Sequence, residues 1–126
     1  MTVLFSTTVT AIGPDVADLL EGGVLILFAD GAPPELAEVS VTHRVEGEPS
    51  AEPPTPGATI RIGSVETALT GIGPLAWAKV RDIGHVVINF NGASAPERPG
   101  ELTASEVDGA ALADALKPGA AITIDG

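Results

Sequence analysis

Cysteine is absent from the 126 residues, which excludes a disulfide framework, thiol chemistry and zinc–thiolate sites. Histidine occurs only twice, and neither copy sits in a His-x-x-x-His or Glu-x-x-His spacing. A metal site would therefore have to lean on carboxylates, and no metal or cofactor is expected. Basic residues are also scarce: six Lys and Arg stand against seventeen Asp and Glu, for a net charge of −11. That balance argues against nucleic acid as a partner, because phosphate contacts need Lys and Arg. Aromatic residues make up 3% of the chain, too few for base-stacking platforms or for the lining of an apolar ligand pocket. No apolar run approaches the ~20 residues needed to cross a bilayer. Residues 1–12 lack the basic start and long apolar stretch of a signal peptide. A cytoplasmic location without direct membrane insertion is the expectation. No Gly-x-x-x-x-Gly-Lys or Gly-x-Gly-x-x-Gly motif supports nucleotide binding.

What the chain does have is apolar content, 44%, in short segments punctuated by Gly and Pro. A chain of this length suits one domain with one core, taken here as residues 1–126. The segments read as strands of a small sandwich or barrel. Val3, Phe5, Val9 and Ala11 share one face of a first strand. Gly13-Pro14-Asp15 opens a short helix with Val16, Leu19 and Leu20 at helical spacing, closed by Gly22-Gly23. Val24 to Phe28 is continuously apolar, as a strand covered on both faces would be. Thr59–Ile62 and Val65–Thr70 flank Gly63-Ser64 as a hairpin. Pro74 begins a helix lined by Ala76, Val80 and Ile83, and Gly84 fits its C-terminal cap. A strand from His85 to Phe90, another from about Glu101, a helix around Ala110–Leu116 and a last strand Ala121–Ile124 follow. The predicted fold is mostly β: a small, single-domain, partly open β-barrel with two or three short helices.

Pro56-Gly57-Ala58-Thr59-Ile60-Arg61-Ile62 is echoed by Pro118-Gly119-Ala120-Ala121-Ile122-Thr123-Ile124. The echo has two readings: a trace of duplication inside a barrel, or the recurrence of Pro-Gly as good turn chemistry before a strand.

His43 is the residue with most to say about function. It lies in Glu38–Val45, which alternates apolar and polar, and falls on the face of Val39, Val41 and Val45. The Pro- and Glu-rich loop Glu46–Gly57 follows at once. Such a histidine suits either a nucleophile at a cavity mouth or a core residue with a satisfied ring. The three valines fix the strand without it, so the fold is expected to tolerate its replacement.

Four blocks carry a resemblance. Thr2–Gly13 is the first; Leu25-Ile26-Leu27-Phe28 with Gly31-Ala32-Pro33 and Leu36-Ala37-Glu38 leading to Val41-Thr42-His43 is the second. Ile83-Gly84-His85-Val86 through Gly92, then Arg98-Pro99-Gly100, complete the set. In this order they resemble the glucitol/sorbitol-specific enzyme IIA component of the bacterial phosphoenolpyruvate:sugar phosphotransferase system. The resemblance implies a phosphocarrier: phosphorylated HPr donates to His43, which passes the group to the IIB component of an IIB/IIC permease whose membrane-embedded part moves the sugar. It makes His43 the phospho-acceptor and His85 the family's second histidine, supporting transfer or donating to a backbone carbonyl. Imidazole suits the task because it is neutral and nucleophilic near physiological pH. Arg44, Lys79 and Arg81 lie near a histidine in sequence and are candidates for holding phosphoryl oxygens, although parity turns Arg44 away from His43. The rival class is a non-catalytic regulatory or adapter barrel derived from the same family.

Overall fold

The computed structural model describes residues 2–126. Among these described residues there are eight strands: β1 (Val3–Ile12), β2 (Val24–Ala29), β3 (Val41–Val45), β4 (Thr59–Ile62), β5 (Val65–Ile72), β6 (Val86–Asn89), β7 (Glu101–Ala104) and β8 (Ala121–Asp125). Four short helices join them: α1 (Val16–Glu21), α2 (Pro34–Ala37), α3 (Ala76–Ile83) and α4 (Gly109–Ala115). The strands close into a barrel in the order β1-β3-β2-β6-β7-β5-β4-β8, with β8 returning to β1. The mostly β barrel expected from the sequence is therefore present, and it is closed rather than partly open, with one helix more than foreseen. Closure leaves no unpaired strand edge.

Inward positions alternate along the strands, as a barrel requires. Leu25 and Leu27, Ile60 and Ile62, Val86 and Ile88, and Ile122 and Ile124 fill the interior. Departures from simple alternation have local causes. In β1 the register slips between Val3 and Phe5 and again between Val9 and Ala11. Val3 and Ala11 are consequently exposed, and the buried row is Phe5, Thr7, Val9. In β2 only Leu25 and Leu27 are buried; Val24, Ile26 and Phe28 look outward and are half-covered, so the strand is not enclosed on both faces. In α3, Trp77 joins Ala76 and Val80 on the buried side and shifts the stripe, leaving Ile83 44% exposed. β3 starts at Val41, not at Glu38, because Pro33-Pro34 starts α2. β2 and β3 are parallel, so the chain must cross over between them, and α2 lies in that connection.

The chain is built twice over. Ile12-Gly13-Pro14 leads from β1 to α1 as Ile72-Gly73-Pro74 leads from β5 to α3. The N–H of Gly13 donates to Ser40 and that of Gly73 to Glu101; Asp15 donates to Glu38 and Leu75 to Pro99. β2 and β6 pair antiparallel with each other, as do β4 and β8, and β2–β3 matches β6–β7 as the parallel pairs. The echoed segments face one another, with Ile60 opposite Ile124 and Ile62 opposite Ile122. Their turns repeat too: Gly57 donates to Leu69 and Leu69 to Ala58, while Gly119 donates to Val9 and Val9 to Ala120. The echo thus extends to whole half-barrels, well beyond local turn chemistry.

Gly13 and Gly73 are glycine because the chain passes too close for a side chain. A Cβ at Gly13 would overlap the carbonyls of Ala37 and Glu38, and one at Gly73 those of Pro99 and Arg98. Backbone on both sides cannot step aside as a flexible side chain can. Gly73→Ala and Gly13→Ala should each lose about 3 kcal/mol of stability in urea unfolding. Gly22→Ala, at φ −85 with its nearest neighbour 3.5 Å away, should be close to neutral. Equal, small effects at all three positions would contradict this account of the two connections.

Candidate functional site

β3 holds His43 between two strands, with Val9 of β1 opposite on one side and Ala29 of β2 on the other. The inward parity of Val41 carries on to His43, which is 0% exposed. Its ring is fixed at both nitrogens. Nε2 lies 2.7 Å from the carbonyl oxygen of Gly84, and Nδ1 lies 2.5 Å from the hydroxyl of Thr7. A carbonyl can only accept, so Nε2 carries the proton and donates to Gly84. Nδ1 then keeps its lone pair and accepts from the Thr7 O–H.

The carbonyl reaches the ring because of how α3 ends. Gly84 adopts the left-handed conformation, φ +62, as a helix-terminating residue. A Cβ there would stand 2.9 Å from the Ala29 side chain and 3.4 Å from Cε1 of His43. Glycine thus serves the helix end and the close approach to the histidine together.

The loop after β3 is not open beside the ring. Glu46 donates its N–H to Ser6 and Ser50 to Leu4, extending contact with β1. Trp77 Nε1–H donates to the Ser50 carbonyl at 2.8 Å. Phe5 packs edge-on between the Trp77 ring and the His43 ring, at centroid distances of 6.2 and 6.1 Å. A depression of about 490 Å³ lies over this end, lined among others by Ala29, Asp30, Val45, Glu48, Arg81 and Gly84. Gly84, whose carbonyl lies against the His43 ring, helps to line it, whereas the fully buried His43 does not and so does not stand at its mouth.

Burial holds the imidazole below its ordinary pKa of 6.5; the Gly84 carbonyl and the Asp30 carboxylate oppose that shift without overcoming it. The ring is therefore neutral at physiological pH. Asp30 is tied to the same strand, its N–H donating to the His43 carbonyl at 3.0 Å while Thr10 donates to its carboxylate.

His85 is the next residue after Gly84 but has the opposite parity. Its ring is half-buried on the outside of the barrel, where Nδ1–H donates to the Leu27 carbonyl at 3.0 Å and the ring packs on Phe28 at 5.0 Å. Both nitrogens of His43 are taken by Thr7 and Gly84, so the two histidines meet through the 84–85 backbone and not through a ring-to-ring hydrogen bond. Arg44 is exposed and pairs with Glu46 at 3.2 Å. Arg81 lines the depression, whereas Lys79 stands with His85 on the outer wall. The sequence reading missed Thr7 and the role of the Gly84 carbonyl. Thr7 had left a signal: it is the polar residue in the apolar row of β1. Among the described residues no group of three or more His, Asp or Glu is placed to hold a metal ion.

Comparison with known proteins fits this architecture. The family model for the "PTS system glucitol/sorbitol-specific IIA component" matches residues 4–123. Proteins described as "PTS system glucitol/sorbitol-specific EIIA component" from Shigella flexneri and Escherichia coli (strain K12) are each 35% identical over 102 residues, 81% of this chain and 81% of theirs. The crystal structure of a PTS system IIA component from Enterococcus faecalis V583 shares the fold, with a TM-score of 0.71 and 20% identity over 96% of this chain and 99% of that one.

The burial of His43 with both ring nitrogens bonded argues against the expectation that the fold tolerates its loss. His43→Ala strands the Gly84 carbonyl and Thr7 hydroxyl and opens a cavity, so it should cost about 2–4 kcal/mol in urea unfolding. The depressed pKa also gives a pH dependence. The unfolded chain takes up a proton near pH 6.5 while the folded one does not, so this contribution is complete above pH 6.5 and is lost as pH falls below it. Wild type should lose up to about 1.4 kcal/mol per pH unit there relative to His43→Gln. Carboxylate titrations are common to both proteins and cancel in that difference. Parallel pH–stability curves for the two would show that His43 is not held neutral.

Proposed function

Because the chain belongs to the glucitol/sorbitol-specific IIA components of the sugar phosphotransferase system, we propose that it is a cytoplasmic phosphohistidine phosphocarrier whose residues 1–126 act as a single IIA domain. His43 accepts a phosphoryl group from phosphorylated HPr and passes it to the IIB component of an IIB/IIC permease. The observation that carries this reading is the state of His43: a neutral imidazole with one ring nitrogen protonated and the other bearing a lone pair. Phosphoryl transfer asks the protein chiefly for position and for compensation of oxygen charge. Position comes from the two hydrogen bonds to the ring, and Arg81 is the cation beside the depression above it.

His85 has a supporting part in this scheme, exerted through the backbone. Its bond to Leu27 and its packing on Phe28 anchor the residue that follows the Gly84 carbonyl. It is a positioning residue, one step removed from the acceptor.

A second reading is favoured by one observation, the complete burial of His43 with both nitrogens satisfied. In that reading the barrel is a regulator or adapter and His43 is a core residue. One assay separates the two. Incubation with phosphoenolpyruvate, enzyme I and HPr should add one acid-labile phosphoryl group, seen by intact mass, and His43→Gln should abolish it. His85→Ala should keep the stoichiometry while slowing transfer roughly tenfold, the effect of losing about 1.4 kcal/mol of positioning. A wild-type protein that stays unmodified under these conditions would establish the adapter reading.

A further inference from the structure

Four arginines stand in a chain that carries seventeen carboxylates, and three of them are engaged. Arg44 pairs with Glu46 at 3.2 Å, Arg61 with Glu66 at 3.2 Å and with Asp125 at 3.3 Å, and Arg98 stands 3.9 Å from Glu101. Arg81 makes no ion pair among the described residues. Its setting sharpens the contrast. Asp30, Glu48 and Asp82 line the same depression, and Arg81 is the one cation beside them among the described residues. A guanidinium left unpaired next to three carboxylates keeps its five N–H donors for another anion.

The helix that ends against His43 also carries this arginine. Ala76, Trp77 and Val80 anchor α3 in the core. Arg81 lies in the last turn of α3, on its exposed side, three residues before the Gly84 carbonyl that meets the His43 ring. Arg81 and Gly84 both line the depression. One element thus supplies the wall that touches the ring and the cation that stands in the open beside it. Lys79, two residues earlier on the same helix, lines the outer wall with His85 instead.

Resting on the phosphocarrier reading, we infer that Arg81 is a catalytic residue of the transfer: its guanidinium binds the oxygens of the phosphoryl group as that group passes between the donor and His43. An electron pair of the His43 ring forms the new N–P bond while the donor phosphohistidine's N–P bond breaks and returns its pair to the donor ring. With the donor ring protonated on its other nitrogen, each ring keeps one N–H. The phosphoryl oxygens therefore cross with their negative charge, spread over three atoms in the transition state. They cross beside a depression that already holds three carboxylates. Like charges repel at such range, and the guanidinium is the group placed to offset them. Its planar fork holds two oxygens at once, which an ammonium does not.

Single-turnover transfer from phosphorylated HPr, followed by intact mass in rapidly quenched samples, tests this role. Arg81→Gln should lower the rate at saturating phosphorylated HPr roughly ten- to a hundredfold, and the reverse rate with it, because both directions share one transition state. Its affinity for unphosphorylated HPr should stay at the wild-type value, since the arginine meets the phosphoryl group and not the partner. Arg81→Lys keeps the charge and loses the fork, so its rate should fall between those of Arg81→Gln and wild type. Lys79→Gln removes an equal charge from the same helix and should transfer at the wild-type rate. Both side chains are exposed, and their replacement leaves the fold intact. A wild-type rate in Arg81→Gln, a loss confined to HPr affinity, or an equal loss in Lys79→Gln would overturn the assignment while leaving His43 as acceptor. A wild-type protein that takes no phosphoryl group would overturn the phosphocarrier reading itself, and the role of Arg81 with it.

Discussion

One carbonyl oxygen, that of Gly84, ties the barrel to its candidate chemistry. It ends α3 and, at 2.7 Å, takes the proton of His43 Nε2 across 41 residues of sequence. Everything else at the site follows from that contact. The tautomer is fixed because a carbonyl cannot donate; the lone pair goes to Nδ1; Thr7 becomes the residue that faces it. The same contact requires glycine at position 84, where the left-handed backbone and the nearness of Ala29 and the His43 ring leave no place for a side chain. A hydrogen bond buried in the barrel core is stronger than one in water, and its loss is correspondingly expensive.

The repeated architecture shows how specialised this half of the molecule is. By register, Val9 faces His43 where Leu69 faces Ala104, so alanine occupies the place of the histidine in the second half. The counterpart of Thr7 is Thr67, which donates to the Ser105 carbonyl, and the counterpart of Gly84 is Gly23, whose carbonyl accepts from Phe90. Where no histidine is present, the matching groups are used for backbone closure. The barrel thus has two equivalent seats and has furnished one of them with an imidazole.

Burial and reactivity pull against each other at His43. Desolvation keeps the ring neutral, which a nucleophile needs. Yet a ring with both nitrogens bonded, under Phe5, Trp77 and a strapped loop, is shielded from any donor. On the phosphocarrier reading proposed above, a transfer step must therefore release one of those bonds and open a path to the ring.

The sequence by itself determined much of the scaffold. Strand and helix segments follow from short apolar runs punctuated by Gly and Pro, and the hairpin at Gly63-Ser64, the helix end at Gly84 and the inward parity of His43 were all legible. These are local properties, settled by the backbone preferences of a few adjacent residues and the two-residue period of a strand. Tertiary structure decided the rest. Closure of the barrel depends on β4 meeting β8 across some sixty residues, and α2 exists because β2 and β3 run parallel. The slips of register in β1 turned Val3 and Ala11 outward and left Thr7 within. Whether His43 stood at a mouth or in the core was not readable from its strand, because what covers it comes from β1, α3 and a loop tied down by Trp77. Hydrogen-bond partners at a distance leave no period in a sequence, and only the folded chain brings a threonine, a histidine and a glycine carbonyl to one point.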